Sequence, residues 1–168
     1  MKYKKLIAVG VVMILGITFF LYRKFNTSKE IHYHAGFVVF ENGKKVDFSD
    51  SKYMYIRPCS VNQNKKPTAS ELQLEKAHLH DGIGDVVHVE ATGAKWSDLF
   101  TNIGFPVDYA SASGFINGNL VSDFQNTPIH PYDSLVLFIG LVDKNLLSQA
   151  VTKNRILQVE KTSVECGK

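Results

Sequence analysis

The chain has 168 residues, a formal net charge of +3 and six histidines, a length that suits one domain with an appendage. Five of its 19 basic residues, Lys2, Lys4, Lys5, Arg23 and Lys24, crowd the start, which leaves 14 basic against 16 acidic groups, about −2, for the rest. With no basic stripe and no basic residues interleaved with aromatics, a nucleic-acid partner is excluded.

The first element in chain order is the apolar run Leu6–Tyr22, 17 residues without a charge. That is the short end of what spans a bilayer core. A cleaved secretory signal wants a shorter apolar core and a small-residue cleavage site, and Phe19, Phe20, Leu21 and Tyr22 stand where small residues should be. The run is apolar all round, unlike the one-sided helix of a soluble surface. Residues 1–25 are therefore expected to form a single-pass anchor in the cell membrane and 26–30 ("NTSKE") a polar linker. A short lysine-rich tail ahead of a first apolar segment stays in the cytoplasm as a rule, which makes 31–168 an extracytoplasmic domain.

That domain opens with "IHYHAGFVVFENGKKVDFS", where Asn42-Gly43 between two apolar runs signals a β-hairpin. Strands are expected at 31–41 and 44–49. "SDSKYMYIRPCS" reads as a further extended segment, and Pro67 marks a polar loop. "TASELQLEK" reads either as a helical turn or as the run-in to the next strand. "KAHLHDGIGDVVHVEAT" (76–92) is a second hairpin, with Asp81-Gly82 and Gly84-Asp85 supplying its turn. In "KWSDLFTNIG", Trp96, Leu99, Phe100 and Ile103 have helical spacing, Gly104 suits the residue after the helix, and Pro106 lies just beyond. "SGFINGNLV" is a strand pair about an Asn117-Gly118 turn, and the apolar run 134–142 is a central strand. The segment after it reads as a terminal helix carrying Leu146, Leu147, Ala150 and Val151 on one face, or as irregular chain followed by a short strand "RILQVE".

Together these elements predict an α+β fold, an N-terminal transmembrane helix followed by a small mixed-sheet domain with hairpins. Over about residues 77–142 the order strand, strand, helix, strand, strand and the stretch "FINGNLVSDFQNTPIHPYDSLVLF" resemble the β-grasp fold of ubiquitin-like sulfur carriers, such as the small subunit of molybdopterin synthase and the thiamine-pathway carrier. The resemblance implies the fold alone, because those carriers end in Gly-Gly and this chain runs on past Gly140 to "ECGK". The chain as a whole resembles a group of uncharacterised membrane-anchored bacterial and archaeal proteins in which an HxH segment precedes "LHD…HV". The matching residues here are His32, His34, Leu79-His80-Asp81 and His88-Val89. This second resemblance implies a class and no chemistry.

Side chains alternate between the two faces of a strand. In the second hairpin, Leu79, Val87 and Val89 therefore share a core face, while His78, His80, His88 and Glu90 share the other. If the turn centres on Ile83, His78 stands across from His88 with Cβ atoms about 5 Å apart. A one-residue slip would bury the histidines and expose the valines, which pins the register. His32 and His34 likewise share one face of the first strand, with Tyr33, Phe37 and Val39 on the opposite one. Five imidazoles and a carboxylate are thus expected to form a surface polar patch. His130, in the loop "TPIHPYD", is given no role.

Such a patch suits a divalent transition metal, since neutral imidazole is a good ligand for zinc and copper. Asp81 or Glu90 would be a fourth ligand or would orient an imidazole. The expected function is a membrane-anchored extracytoplasmic binding protein with a zinc or copper site at His32, His34, His78, His80, His88, Glu90 and Asp81. One alternative is a module that contacts another envelope protein, its histidines incidental. A second is a metal-dependent hydrolase using an open coordination position, and a third is a pH sensor built on neighbouring imidazoles. Cys59 and Cys166 are either two unrelated thiols or a disulfide closing a loop of roughly 100 residues, a stabilisation of about 4 kcal/mol. With no CxxC, neither a redox motif nor a zinc knuckle is indicated.

Overall fold

The computed structural model describes residues 31–55 and 68–162, all within the compact unit Ile31–Lys168. The expected anchor and linker (1–30) and both cysteines lie outside the described residues. Among the described residues no helix is long and apolar enough to cross a membrane.

The strands are β1 (Tyr33–Glu41), β2 (Lys44–Lys45), β3 (Val86–Val89), β4 (Ala112–Ile116), β5 (Asn119–Val121) and β6 (Ser134–Ile139); the helices are α1 (Ala69–Lys76), α2 (Trp96–Asn102) and α3 (Lys153–Thr162). They build an α+β fold on one mixed sheet, in the order β2-β1-β6-β4-β5, with β3 added to β1. β6 runs parallel to β1 and antiparallel to β4. Its first five residues, Ser-Leu-Val-Leu-Phe, are all buried, as expected of a strand covered on both faces.

Asn-Gly and Asp-Gly form the tight turns the sequence predicts. Asn42, Asp81 and Asn117 have φ of 49°, 58° and 51°, each followed by a glycine at 70–81°, the two left-handed residues of a type I′ turn. α1 is a helix rather than a run-in. Thr68 accepts from the Glu71 amide at 3.3 Å while Glu71 accepts from the Thr68 amide at 2.6 Å, a reciprocal cap. α2 buries Trp96, Leu99 and Phe100 as expected.

Several expectations need correction. β2 spans two residues instead of 44–49, and Ser51–Tyr53 is a 3₁₀ turn capped by Asp50 instead of an extended segment. The C-terminal segment is neither one long helix nor a strand. It is a 3₁₀ stretch, Lys144–Gln149, followed by α3. The second hairpin narrows to one antiparallel bridge, His78–His88, and the ladder partner of β3 is β1. The cause lies at Gly84, where the loop presses onto the 48–49 backbone. A Cβ there would sit 2.5 Å from the Phe48 carbonyl carbon and the Ser49 nitrogen. This packing turns the loop toward β1, where the Phe37 amide donates to the Asp85 carbonyl at 3.0 Å.

The sheet is covered on both faces. One face packs Ala35, Phe37 and Val39 against Leu79, Val87, Val89, Trp96, Leu99 and Phe100. The other packs Val38, Phe40, Val136 and Phe138 under Leu146, Leu147 and Ala150, and Val86 under Ile156 and Val159 of α3. Arg155 of α3 clamps Asp85 with two hydrogen bonds of 3.0 Å.

Gly84→Ala is expected to lower stability by about 1–3 kcal/mol, the range for overpacking against immovable backbone. Chemical-denaturation midpoints measure this, and an unchanged midpoint would mean that the loop does not depend on its contact with Phe48.

Candidate metal centre

Two backbone pairings and the burial of two valines create the site. His34 lies across from His88 in the β1–β3 ladder, in a register fixed by Tyr33–Val89 and Ala35–Val87. His78 lies across from His88 on the other side, with amide–carbonyl bonds of 3.0 and 2.9 Å in both directions. Val87 and Val89 are fully buried on the opposite face. His34, His88 and His78 therefore form a row across three adjacent backbones, with His88 in the middle. His32 and His80, each two residues from a row member, complete the group.

All five imidazoles expected from the sequence come together. The His88 ring lies 4.4 Å from His32, 4.6 Å from His34, 5.1 Å from His78 and 4.5 Å from His80, centroid to centroid. Their exposure departs from the expected surface patch. His34, His78 and His88 are 1%, 4% and 6% exposed, while His80 is half-buried and His32 exposed. The histidine face is the same sheet face that carries the second apolar layer, and the rings also cover one another.

Two of the imidazoles have their tautomer set by the fold. His78 donates from Nδ1 to the Leu74 carbonyl at 3.0 Å. That carbonyl belongs to the last turn of α1, where it has no partner within the helix. His80 donates from Nδ1 to the Asp81 carboxylate at 2.7 Å, as metal-bound histidines do toward outer carboxylates. Both rings are left with Nε2 as the lone-pair nitrogen, and His80 Nε2 points at His88 Nδ1 in close contact. His88 Nε2 is buried without a hydrogen-bond partner, and the nearest Glu90 oxygen is 3.7 Å away.

These atoms fall into two groups that could hold a metal ion, His32/His34/His88 and His78/His80/His88, the three ligand atoms of each lying within 4.8 Å of one another. Of the other candidates, Glu90 stands at the margin of His88, and Asp81 contacts a histidine as a second-layer partner. His130 is exposed in its loop. Two contributors escaped the sequence reading. The Leu74 carbonyl was legible through the Thr68-x-x-Glu71 capping pattern that fixes α1. Tyr55, which packs edge-on against His78 at 5.2 Å, carries no signal that separates it from core aromatics.

His88 is held neutral. Burial, and then the neighbouring imidazoles of His78, His80, His34 and His32, push its pKa from 6.5 down to about 2. Compared with models of known protein families the chain matches none, and neither curated proteins nor solved structures give a match.

A pH dependence follows. Below 6.5 the unfolded chain protonates at His88 while the folded one does not. The unfolded state then binds more protons, so stability is complete above 6.5 and falls as the pH drops, by about 1.4 kcal/mol per pH unit from this group. Urea midpoints measured with a chelator present should fall along this slope, and His88→Leu should flatten it. A wild-type midpoint that ignores pH in this window would show that His88 takes up a proton in place.

Proposed function

We propose that the chain is a membrane-anchored extracytoplasmic protein whose α+β domain binds a transition metal, zinc or copper, at its histidine cluster. The observation that carries this reading is the preparation of His78 and His80. A backbone carbonyl and a carboxylate occupy their Nδ1 atoms, the Nε2 of His80 faces Nδ1 of a third imidazole, His88, and one ligand atom from each of the three rings lies within 4.8 Å of the others. Imidazole nitrogen at this density is donor chemistry for zinc, copper or nickel. The burial of three rings, packed ring against ring, favours binding over hydrolysis, which needs room for a substrate beside the metal. The anchor reading is supported by the uncharged run Leu6–Tyr22 between basic flanks. The β-grasp reading is supported by the order β2-β1-β6-β4-β5, with β1 parallel to β6 and α2 before β4. On that order the grasp would take in β1 and β2, upstream of the stretch 77–142 from which the resemblance was drawn.

The test is calorimetry on the full chain, purified in detergent without a polyhistidine tag and titrated with zinc or copper(II). Tight binding is expected, with loss of it in His78→Ala/His88→Ala. Binding no tighter than in that variant would overturn the metal reading and leave the domain as a partner-binding module. Asp81→Asn is the finer probe. Asparagine tolerates the positive φ of this residue, so the change isolates the carboxylate, and affinity should fall about 10–100-fold. An unchanged affinity would remove Asp81 from the site.

A further inference from the structure

The five imidazoles make two trios that share one ring, rather than a single five-ligand shell. Zinc–imidazole bonds are near 2.0–2.1 Å, so the ligand nitrogens of one ion lie within about 4 Å of one another. The His32/His34 pair and the His78/His80 pair each come within 4.8 Å with His88, close enough for a bound ion to draw the rings onto that scale, but no group of ligand atoms within 4.8 Å of one another joins the two pairs. The backbone explains why. His34 and His78 flank His88 on opposite sides, two strand spacings or roughly 10 Å apart. Continuing the β1–β3 register sets His32 across from Glu90 at one end of His88, while His80, two residues past the antiparallel His78–His88 bridge, lies toward the other end. The pairs therefore occupy diagonal corners with His88 between them.

His88 has a nitrogen for each corner. Its Nδ1 faces His80 Nε2. Its Nε2, on the other edge of the ring, is buried on the Glu90 side without a hydrogen-bond partner. Resting on the metal-binding reading, we infer that the cluster takes two divalent ions. One is held by His78, His80 and Nδ1 of His88; the other by His32, His34 and Nε2 of His88, with Glu90 at its margin. On loading, each His88 nitrogen forms one bond to metal and the ring releases its single N–H proton to solvent. The bridge is then an imidazolate, one negative charge between two dications. No electron is transferred and no other bond is broken.

The test uses the full, tag-free chain in detergent, loaded with copper(II), and reads stoichiometry by native mass spectrometry and unpaired spins by EPR. The expected result is two coppers per chain with an EPR intensity far below that of two independent ions, because a shared imidazolate couples their spins. In His32→Ala/His34→Ala and in His78→Ala/His80→Ala, one copper should remain at its full intensity. The wild-type measurements decide the matter even where a variant fails to fold. One copper at saturation would overturn the two-ion inference and leave the metal-binding reading standing. Two coppers with full, uncoupled intensity would overturn the sharing of His88. No copper bound would overturn both the inference and the reading beneath it.

Discussion

The placement of β3 between two other backbones is the constraint on which the site depends. On one side it pairs with β1 over four residues, and on the other it bridges to His78. A strand with a neighbour on each side has both edges fixed, and its alternation then decides which residues meet. Val87 and Val89 go fully into the core with Leu79 and Ala35, so His88 must face the other way, into the row formed by His34 and His78. A slip of one residue would turn Val87 and Val89 out of this core and bring the His88 ring in among Trp96 and Leu99. The apolar core thereby sets the geometry of the polar cluster behind it.

That cluster is costly by itself. A buried polar group without a partner loses free energy of the order of 1–3 kcal/mol, and four imidazoles gathered about a fifth cannot all ionise. The fold offsets this where it can. The end of α1 supplies the Leu74 carbonyl to His78, and the 80–83 turn supplies Asp81 to His80. α1 is itself held in place by its tie to α2, where Asp98 accepts from Gln73 at 2.8 Å and Asn102 donates to the Ala77 carbonyl at 2.7 Å. The outer layer of the cluster is thus built from helix ends and a turn anchored in the core. At His88 the offset is incomplete, since one ring nitrogen is buried without a hydrogen bond.

The sequence made the local geometry legible and the layering illegible. Asn42-Gly43, Asp81-Gly82 and Asn117-Gly118 each announce a turn through backbone chemistry that operates within four residues, and the period-two pattern of 86–90 separates Val87 and Val89 from His88. The pairing of His78 with His88 followed from the turn length alone. What failed involved partners distant in sequence. Alternation alone turns the histidine face toward solvent, and the layer that covers that sheet face comes from the distant residues 144–162. Gly36, whose missing side chain leaves room for Val151, carried no visible sign of that contact. The preference of β3 for β1 over its own hairpin partner likewise depends on Gly84 meeting Phe48 and Ser49, 35 residues or more upstream. α1 was a different case. Its capping pattern was present in "TASE", and its helical period was obscured because none of its residues is buried.

The proton-repelling character of the cluster and its suitability for a metal have one physical origin. A proton can be shared between at most two imidazole nitrogens, so a protonated ring here would leave a positive charge among neighbours that offer it little solvation. A divalent ion uses three or four lone pairs at once and returns, through each bond, the stabilisation that burial removed. His88 is the residue where this difference is largest, because it touches all four other rings and burial together with those rings pushes it away from protonation. The same desolvation that keeps protons off its nitrogens keeps those nitrogens available, and the β1–β3 register delivers them to two corners of the sheet rather than one.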